Sequence, residues 1–335
     1  MKKLSSSDLQ AIDKPIAFEK AALHTFRNQY DHCAPYRAYC DLINQNPSTV
    51  HSVAELPFLP ISLFTQRKII TGNQVIQTVF RSSGTTGQKP AQHHISDLTL
   101  YEWSFRKTFE DCYGAVDDYV ILALLPSYLE RQNASLVYMV SDLIARSNKK
   151  ESGFYLDQYE GLSQKLKKLE AQHQKTLLIG VSFALMDFCT RYPQQLQQTQ
   201  VIETGGMKGR KKEWVRSELH AFLEKGFGCS SIHSEYGMTE LLSQAYAKKK
   251  GLFFCPAWMQ VEVRDSTDPF QILPEGQTGG LNIIDLANQN SCAFLATQDL
   301  GRKYSNGGFE VLGRFDAAEI RGCNLMVGAA NETLE

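Results

Sequence analysis

Four short strand-like runs, separated by stretches with helical spacing, limit what this chain can fold into more than any other feature. They are VILALL from Val120, TLLIGV from Thr176, QVIET from Gln200 and SIHSEY from Ser231. The first two suit strands buried on both faces, and the other two read as strands running into turns. Between them lie NASLVYMVSDLIARS, FALMDFCTRY and KKEWVRSELHAFLEKGFG, whose apolar groups recur at helical intervals, the last closed by a glycine. Strand and helix in alternation predict a largely parallel, doubly wound α/β sheet. Ligands of such sheets bind beyond the carboxyl ends of the strands, so the turns after these runs are the expected seat of the chemistry.

The 335 residues suffice for two domains, or for one large α/β domain with an appendage. Residues 1–73 read as a helical region ending in VAELPFLPISLF, a connector whose prolines favour extended backbone. Residues 74–248 hold the doubly wound core. QVIQTVFRSSG starts it as a strand running into a loop, His93 and His94 read as a polar strand edge, and Ser96 and Asp97 cap the helix that follows. Residues 249–313 turn to short strands with glycine turns, a β-rich subdomain, and 314–335 read as a short hinge and tail. Thirty-five basic against 36 acidic residues leave a net charge of −1, which offers no long-range attraction to nucleic acid or an anionic membrane. No apolar run is long enough to span a bilayer, and the N-terminal MKKLSSSDLQAIDKP has no apolar signal core, so a cytoplasmic location is expected. The eight cysteines form no C-x-x-C pair, which speaks against zinc and for a reducing compartment.

Hydroxyls and glycines crowd into SSGTTG, Ser82 to Gly87, with Lys89 shortly after. Glycines permit positive φ and close backbone approach, so N–H groups can converge on phosphate oxygens, and Lys89 adds a point charge. The stretch is not the G-x-x-x-x-G-K-[ST] loop. On composition alone a solvated turn fits it too.

Three later stretches join it: SEYGMTE (Ser234–Glu240), ATQDLGR (Ala296–Arg302) and GFEVLGRFDAAEIRG (Gly308–Gly322). SSGTTGQKP resembles the phosphate loop of the adenylate-forming superfamily, which joins acyl-CoA synthetases, peptide-synthetase adenylation domains and luciferases. YGMTE resembles its Y-G-x-T-E element, TQDLG its T-G-D element and GRFD its G-R-x-D hinge. LPSYLERQNASLVYM and EIRGCNLM resemble one branch in particular, the LuxE acyl-protein synthetases of bacterial bioluminescence.

The resemblance implies the superfamily's N-terminal domain, with layered mixed and parallel sheets flanked by helices, a β-rich subdomain, and a very short C-terminal tail in place of the full lid. It implies ATP and Mg2+. Ser82, Ser83, Gly84, Thr85, Thr86 and Gly87 would hold the β- and γ-phosphates, with Lys89 near the departing pyrophosphate. Tyr236, followed by Gly237, would stack near adenine, against the loop that contains Gly205 and Gly206. Thr239 would touch the α-phosphate or the acyl carboxylate, and Glu240 would hold Mg2+. Asp299 would accept from the ribose hydroxyls, and Arg314 would contact ribose or phosphate. His233 either faces the acyl carboxylate as a catalytic group or is a core histidine. The segment ASLVYMV is either helix core or the wall of an acyl channel.

Larger relatives close the site with a lid that carries a catalytic lysine, whereas the last lysine here is Lys303. In the LuxE branch a cysteine near the C-terminus receives the acyl group, and the match is Cys323 in RGCNLM, beside Arg321. Taken alone, that cysteine reads first as a small buried hydrophobe. The function the resemblance implies is ATP-dependent activation of a carboxylic, fatty acid to an acyl adenylate. The acyl group would then pass to Cys323 and on to a partner protein, a reductase or transferase, in a homo- or hetero-oligomer. The alternatives are a phenylacetate-CoA-ligase-like enzyme that makes acyl-CoA and a non-catalytic relative that binds nucleotide or acyl adenylate.

Overall fold

The computed structural model describes residues 2–82, 89–126, 133–205 and 214–315. The chain opens with helices α1 (Ser6–Gln10), α2 (Pro15–His32) and α3 (Ala34–Leu42), then strand β1 (Leu59–Pro60) and helix α4 (Leu63–Gln66). A hairpin of β2 (Thr78–Arg81) and β3 (Gln92–Ile95) leads into helix α5 (Leu98–Tyr113). Alternation then sets in with β4 (Val120–Leu124), α6 (Ser135–Ser147), β5 (Gly153–Tyr155), α7 (Tyr159–Ala171) and β6 (Thr176–Val181). It continues with α8 (Ser182–Arg191), β7 (Thr199–Thr204), α9 (Arg216–Phe227) and β8 (Ile232–Tyr236). The strands β9 (Ala245–Ala247), β10 (Met259–Arg264), β11 (Thr278–Asp285), β12 (Phe294–Lys303) and β13 (Phe309–Arg314) follow.

The apolar runs form the expected strands, and β4, β6 and β8 are buried along their whole length. Among the described residues they make a six-stranded sheet in the order β5-β4-β6-β7-β8-β9, parallel except at β9. Local chemistry sets the helix ends. Asp97 Oδ1 accepts from the Thr99 N–H at 2.9 Å and caps α5, while Gly228, at φ 60°, closes α9 in the left-handed conformation. Two boundaries differ from expectation. β2 starts at Thr78, although the ladder already begins with the Gln77 N–H donating to the Ile95 carbonyl at 2.8 Å. Helix α9 starts only at Arg216, because Val215 is extended (φ −63°, ψ 138°).

A second sheet runs β1-β12-β11-β10, with β13 on β12. Its pairs are antiparallel except that β1 adds in parallel, Leu59 opposite Leu295. Residues from the first 73 and from 249–313 therefore build one sheet. Helix α2 packs on it: Gln29 Nε2 donates to the Asn288 carbonyl at 2.7 Å, and the Ala293 N–H donates to Gln29 Oε1 at 2.9 Å. Tyr36 of α3 stacks on Phe294, with centroids 5.8 Å apart. One buried cluster extends from Leu9 to Phe309, so these segments share a core. Arg264 is buried within the second sheet. Its guanidinium donates to the Leu281 carbonyl (2.9 Å), to Asn282 Oδ1 (2.8 Å) and to the Thr297 carbonyl, tying β10 to the strand that leads to Asp299. Among the described residues no helix is long and apolar enough to cross a membrane.

Candidate functional site

The hydroxyl–glycine stretch begins at Ser82, where the β2–β3 ladder ends. Arg81 stands opposite Gln92, and one residue further on the Ser82 N–H donates to the Ala91 carbonyl at 3.0 Å. The Ala91 N–H donates back to Ser82 Oγ at 2.9 Å. Ser82 thus clasps the two ends of the loop with its own hydroxyl, a task its place in the motif did not reveal. Ser83, Gly84, Thr85, Thr86 and Gly87 lie outside the described residues, as do Gly206 and Cys323.

The YGMTE turn leaves the end of β8 and is held from beneath by side chains that sequence reasoning passed over. His93 Nδ1 donates to the Thr239 carbonyl at 2.8 Å, and its Nε2 meets Ser291 Oγ at 2.8 Å. Asn288 Nδ2 donates to the Glu240 carbonyl at 2.8 Å. Asp285 accepts from the N–H groups of Leu242 (2.7 Å) and Ser243 (3.0 Å) and from Ser243 Oγ (2.5 Å). His93, read as a strand edge, is instead fully buried, and burial drives its pKa down to about 4, so the ring is neutral near pH 7. The available signal was DLANQNS, a polar run of the kind expected in a solvated loop, set between the apolar ends of β11 and β12. Asp285 and Asn288 are buried because they supply the partners that a tight, buried turn demands.

A cavity of about 800 Å³ opens where β6, β7 and β8 end. Ser82, Lys89, Gly205, Tyr236 and Gly237 line it, together with Thr239, Glu240, Asp299 and Arg314. Segments far apart in sequence thus meet in one cleft, with a volume in the range of small-molecule sites. Of the two readings of His233, a group facing the acyl carboxylate or a core histidine, its surroundings match the second, and it is not among the residues that line the cleft. It lies nearer the start of β8, about 7 Å down the strand from Glu235. There its ring stacks on Tyr113, with Nδ1 3.2 Å from the Tyr113 hydroxyl. Burial first, then Lys248, lowers its pKa to about 4. It is a core histidine, because the register of β8 puts it below the mouth of the cleft.

The two sides of β8 give the cleft two lobes. Successive residues of a strand point to opposite faces. Tyr236 donates its hydroxyl to Asp299 at 2.8 Å, and its ring meets Phe253 and Phe309 edge-on. Burial raises the pKa of Asp299, while the Tyr236 hydrogen bond and Arg314, 4.0 Å away, work against the rise. Arg216, at the first turn of α9, belongs to the same lobe and was not foreseen. Its guanidinium pairs with Glu203, reaches Ser234 Oγ at 3.1 Å and lies over the Phe253 ring. Burial pushes the Glu203 pKa up, but Arg216 and hydrogen bonds from His220 and Ser234 outweigh it and hold the carboxyl at about 2.

On the other face, Thr204 Oγ1 donates to Glu235, its partner across the β7–β8 ladder. Tyr101, Ala134, Leu136, Met139 and Gln244 line this second lobe. ASLVYMV therefore serves as wall and core at once, with Leu136 on the cavity and Val140 in the interior. The Glu235 carboxyl is pushed up to about 7, first by burial and also by the neighbouring charge of Glu203. A carboxyl whose folded pKa lies above its unfolded value binds its proton more tightly when folded, so the protein loses stability as pH rises from about 4.5 to about 7. Glu235→Gln removes that loss. Urea unfolding across this range should find the variant no more stable than the parent at the acid end and more stable, by up to about 3 kcal/mol, above pH 7. A constant gap between the two proteins across the range would contradict the buried, raised carboxyl.

Glu240 is the donor to test for a divalent ion. Its carboxyl is buried at the cleft wall and pushed up to about 7, by burial and then by Asp299, with Arg314 opposing. An oxygen donor that is short of positive charge, beside a second carboxylate, suits a hard cation.

The family described as acyl-protein synthetase, LuxE, matches residues 5–331. A long-chain-fatty-acid–luciferin-component ligase from Aliivibrio fischeri is 22% identical over 341 residues, 92% of this chain and 86% of that one. Among solved structures, a 2-hydroxyisobutyryl-CoA ligase in the postadenylation state with 2-HIB-AMP superposes with a TM-score of 0.66 at 13% identity, over 91% of this chain and 69% of that one. ATP-bound MatB from Rhodopseudomonas palustris gives a TM-score of 0.55 at 18% identity, over 72% of this chain. The chain spans about half, 49%, of that MatB. At such identities the likeness is one of fold, the layered α/β fold of adenylate-forming ligases.

Proposed function

The chain belongs to the acyl-protein synthetase family, LuxE, a family of ligases, and on that footing we propose that it uses ATP to activate a carboxylic acid of the fatty class and passes the acyl group to Cys323. The observation that carries the proposal is the meeting of Lys89, Tyr236, Thr239, Glu240, Asp299 and Arg314 around one cleft. In this reading an oxygen of the acid's carboxylate bonds to the α-phosphorus while the bond to pyrophosphate breaks, leaving an acyl adenylate. Asp299, fixed by the Tyr236 hydroxyl, accepts from the ribose hydroxyls. Lys89 and the hydroxyl–glycine stretch that begins at Ser82 hold the outer phosphates and the departing pyrophosphate. The Thr239 hydroxyl orients the attacking carboxylate or the α-phosphate, because His93 and Asn288 fix the backbone carbonyls of Thr239 and of the next residue, Glu240. Glu240 would hold Mg2+, whose charge lowers the repulsion between carboxylate and phosphate oxygens.

The thiolate of Cys323 then attacks the acyl carbon, a thioester forms and AMP leaves. From there the acyl group moves to a partner protein of the same route. The relative from Aliivibrio fischeri is named for joining a long-chain fatty acid to a luciferin component, which supports a protein acceptor over coenzyme A. The test is pyrophosphate–ATP exchange across a panel of acids from aryl to long-chain. Acid-dependent exchange is expected. Exchange with none of them would leave a protein that binds nucleotide without turning it over.

A further inference from the structure

We propose that the acid taken by this site carries a hydrogen-bond donor, a hydroxyl or an amine, on its carbon chain. The proposal rests on the acid-activating reading above and concerns the second lobe of the cleft. A lobe made for a plain hydrocarbon chain would be apolar to its end, since a buried polar group without a partner costs free energy. This lobe is apolar only along one wall, where α5 and α6 contribute Tyr101, Ala134, Leu136 and Met139.

Its other wall is polar and buried. Gln244 is 4% exposed and lines the cavity, and its Oε1 has no hydrogen-bond partner among the described residues. Glu235 is 8% exposed and lines the cavity beside it, with Thr204 donating to its Oε2. Its Oε1 lies directly beneath Gly237: a Cβ there would stand 2.4 Å from that oxygen and 3.4 Å from Gln244 Cγ. Gly237 thus has a second use beyond the nucleotide turn, since any side chain at this position would displace the carboxyl from the cavity wall. Two polar groups are thereby held together at the side of an otherwise apolar lobe. A hydroxyl or amine on the substrate can donate to Gln244 Oε1 and meet the Glu235 carboxyl at once. A methylene in the same place leaves Gln244 Oε1 without a partner.

The experiment is calorimetric titration of the full chain, in the presence of an ATP analogue with a methylene bridge between the α- and β-phosphorus. Unsubstituted, hydroxy- and amino-carboxylic acids of equal chain length are compared, from short to long. The best substituted acid should bind about 10- to 100-fold more tightly than its unsubstituted partner. The hydroxy and amino arms decide which donor the site takes. Gln244→Met and Glu235→Leu, each assayed alone with its unfolding midpoint recorded, should bring that ratio toward one. Gln244→Met preserves side-chain length and stands by itself if Glu235→Leu does not fold. An unsubstituted acid that binds as tightly as its substituted partners, a ratio that survives Gln244→Met, or no acid binding at all overturns the proposal. Selective binding without pyrophosphate exchange supports it and removes the adenylation reading instead. Exchange restricted to unsubstituted acids does the reverse.

Discussion

Asp299→Ala is expected to raise the KM for ATP in pyrophosphate exchange by about 10²- to 10⁴-fold, because the proposed role of this carboxylate gives it two hydrogen bonds from the ribose hydroxyls, each worth about 1.5–3 kcal/mol. The physical basis is the setting of the carboxylate. It sits on β12, held by the Tyr236 hydroxyl at 2.8 Å, within reach of Arg314 and over the sheet that buried Arg264 ties together. A preorganised acceptor of this kind costs no reordering when nucleotide arrives. Tyr236→Phe is the companion measurement. It removes one orienting hydrogen bond and leaves the carboxylate, so its effect on KM should be about tenfold, near the worth of a single hydrogen bond to a charged group. A KM for ATP within threefold of the parent in Asp299→Ala, with the unfolding midpoint preserved, would mean that the nucleotide lies elsewhere.

Cys323→Ser separates the two halves of the proposed reaction. Acid-dependent pyrophosphate exchange should continue at the parent rate, since the thiol acts only after the adenylate has formed. Labelled acyl protein, released by neutral hydroxylamine in the parent, should vanish. Serine keeps the size of the side chain and removes the nucleophile, whose thiolate form attacks far more readily than a neutral hydroxyl. Persistent thioester label on the variant would move the acceptor to another cysteine. Burial argues against Cys33, Cys40, Cys189 and Cys292, whose thiols are all pushed up by desolvation and so are poor nucleophiles. Loss of label in the presence of added coenzyme A, with acyl-CoA released instead, would favour the coenzyme A alternative.

Much of this site could be read in advance for a simple reason. Motif residues such as Tyr236, Thr239, Glu240 and Asp299 line the cleft, and they stand on recognisable strands or on the turn that follows one. The residues that hold them in place act through burial, which composition hides. His93, Asp285, Asn288 and Ser291 look like surface polar residues in the sequence, yet each is enclosed and bonded to the YGMTE turn or to a neighbour that is. His233 shows the same limit from the other side: a histidine beside a motif is catalytic or structural according to a strand register that local sequence does not display.

Periodicity alone determined the strands β4, β6, β7 and β8 and the helices α6, α8 and α9, though not β5 and α7, and with them the edge of the sheet at which a ligand would be held. Those signals are local, since apolar spacing and capping residues act within a few positions. The tertiary structure alone decided that β1 joins β12, that the first 73 residues share a core with 249–313, and that Glu235 and Gln244 lie side by side on the wall of a buried cleft. These are contacts between segments distant in sequence, chosen by which apolar faces and unpaired polar groups can be satisfied together, and such choices exist only once the chain has packed.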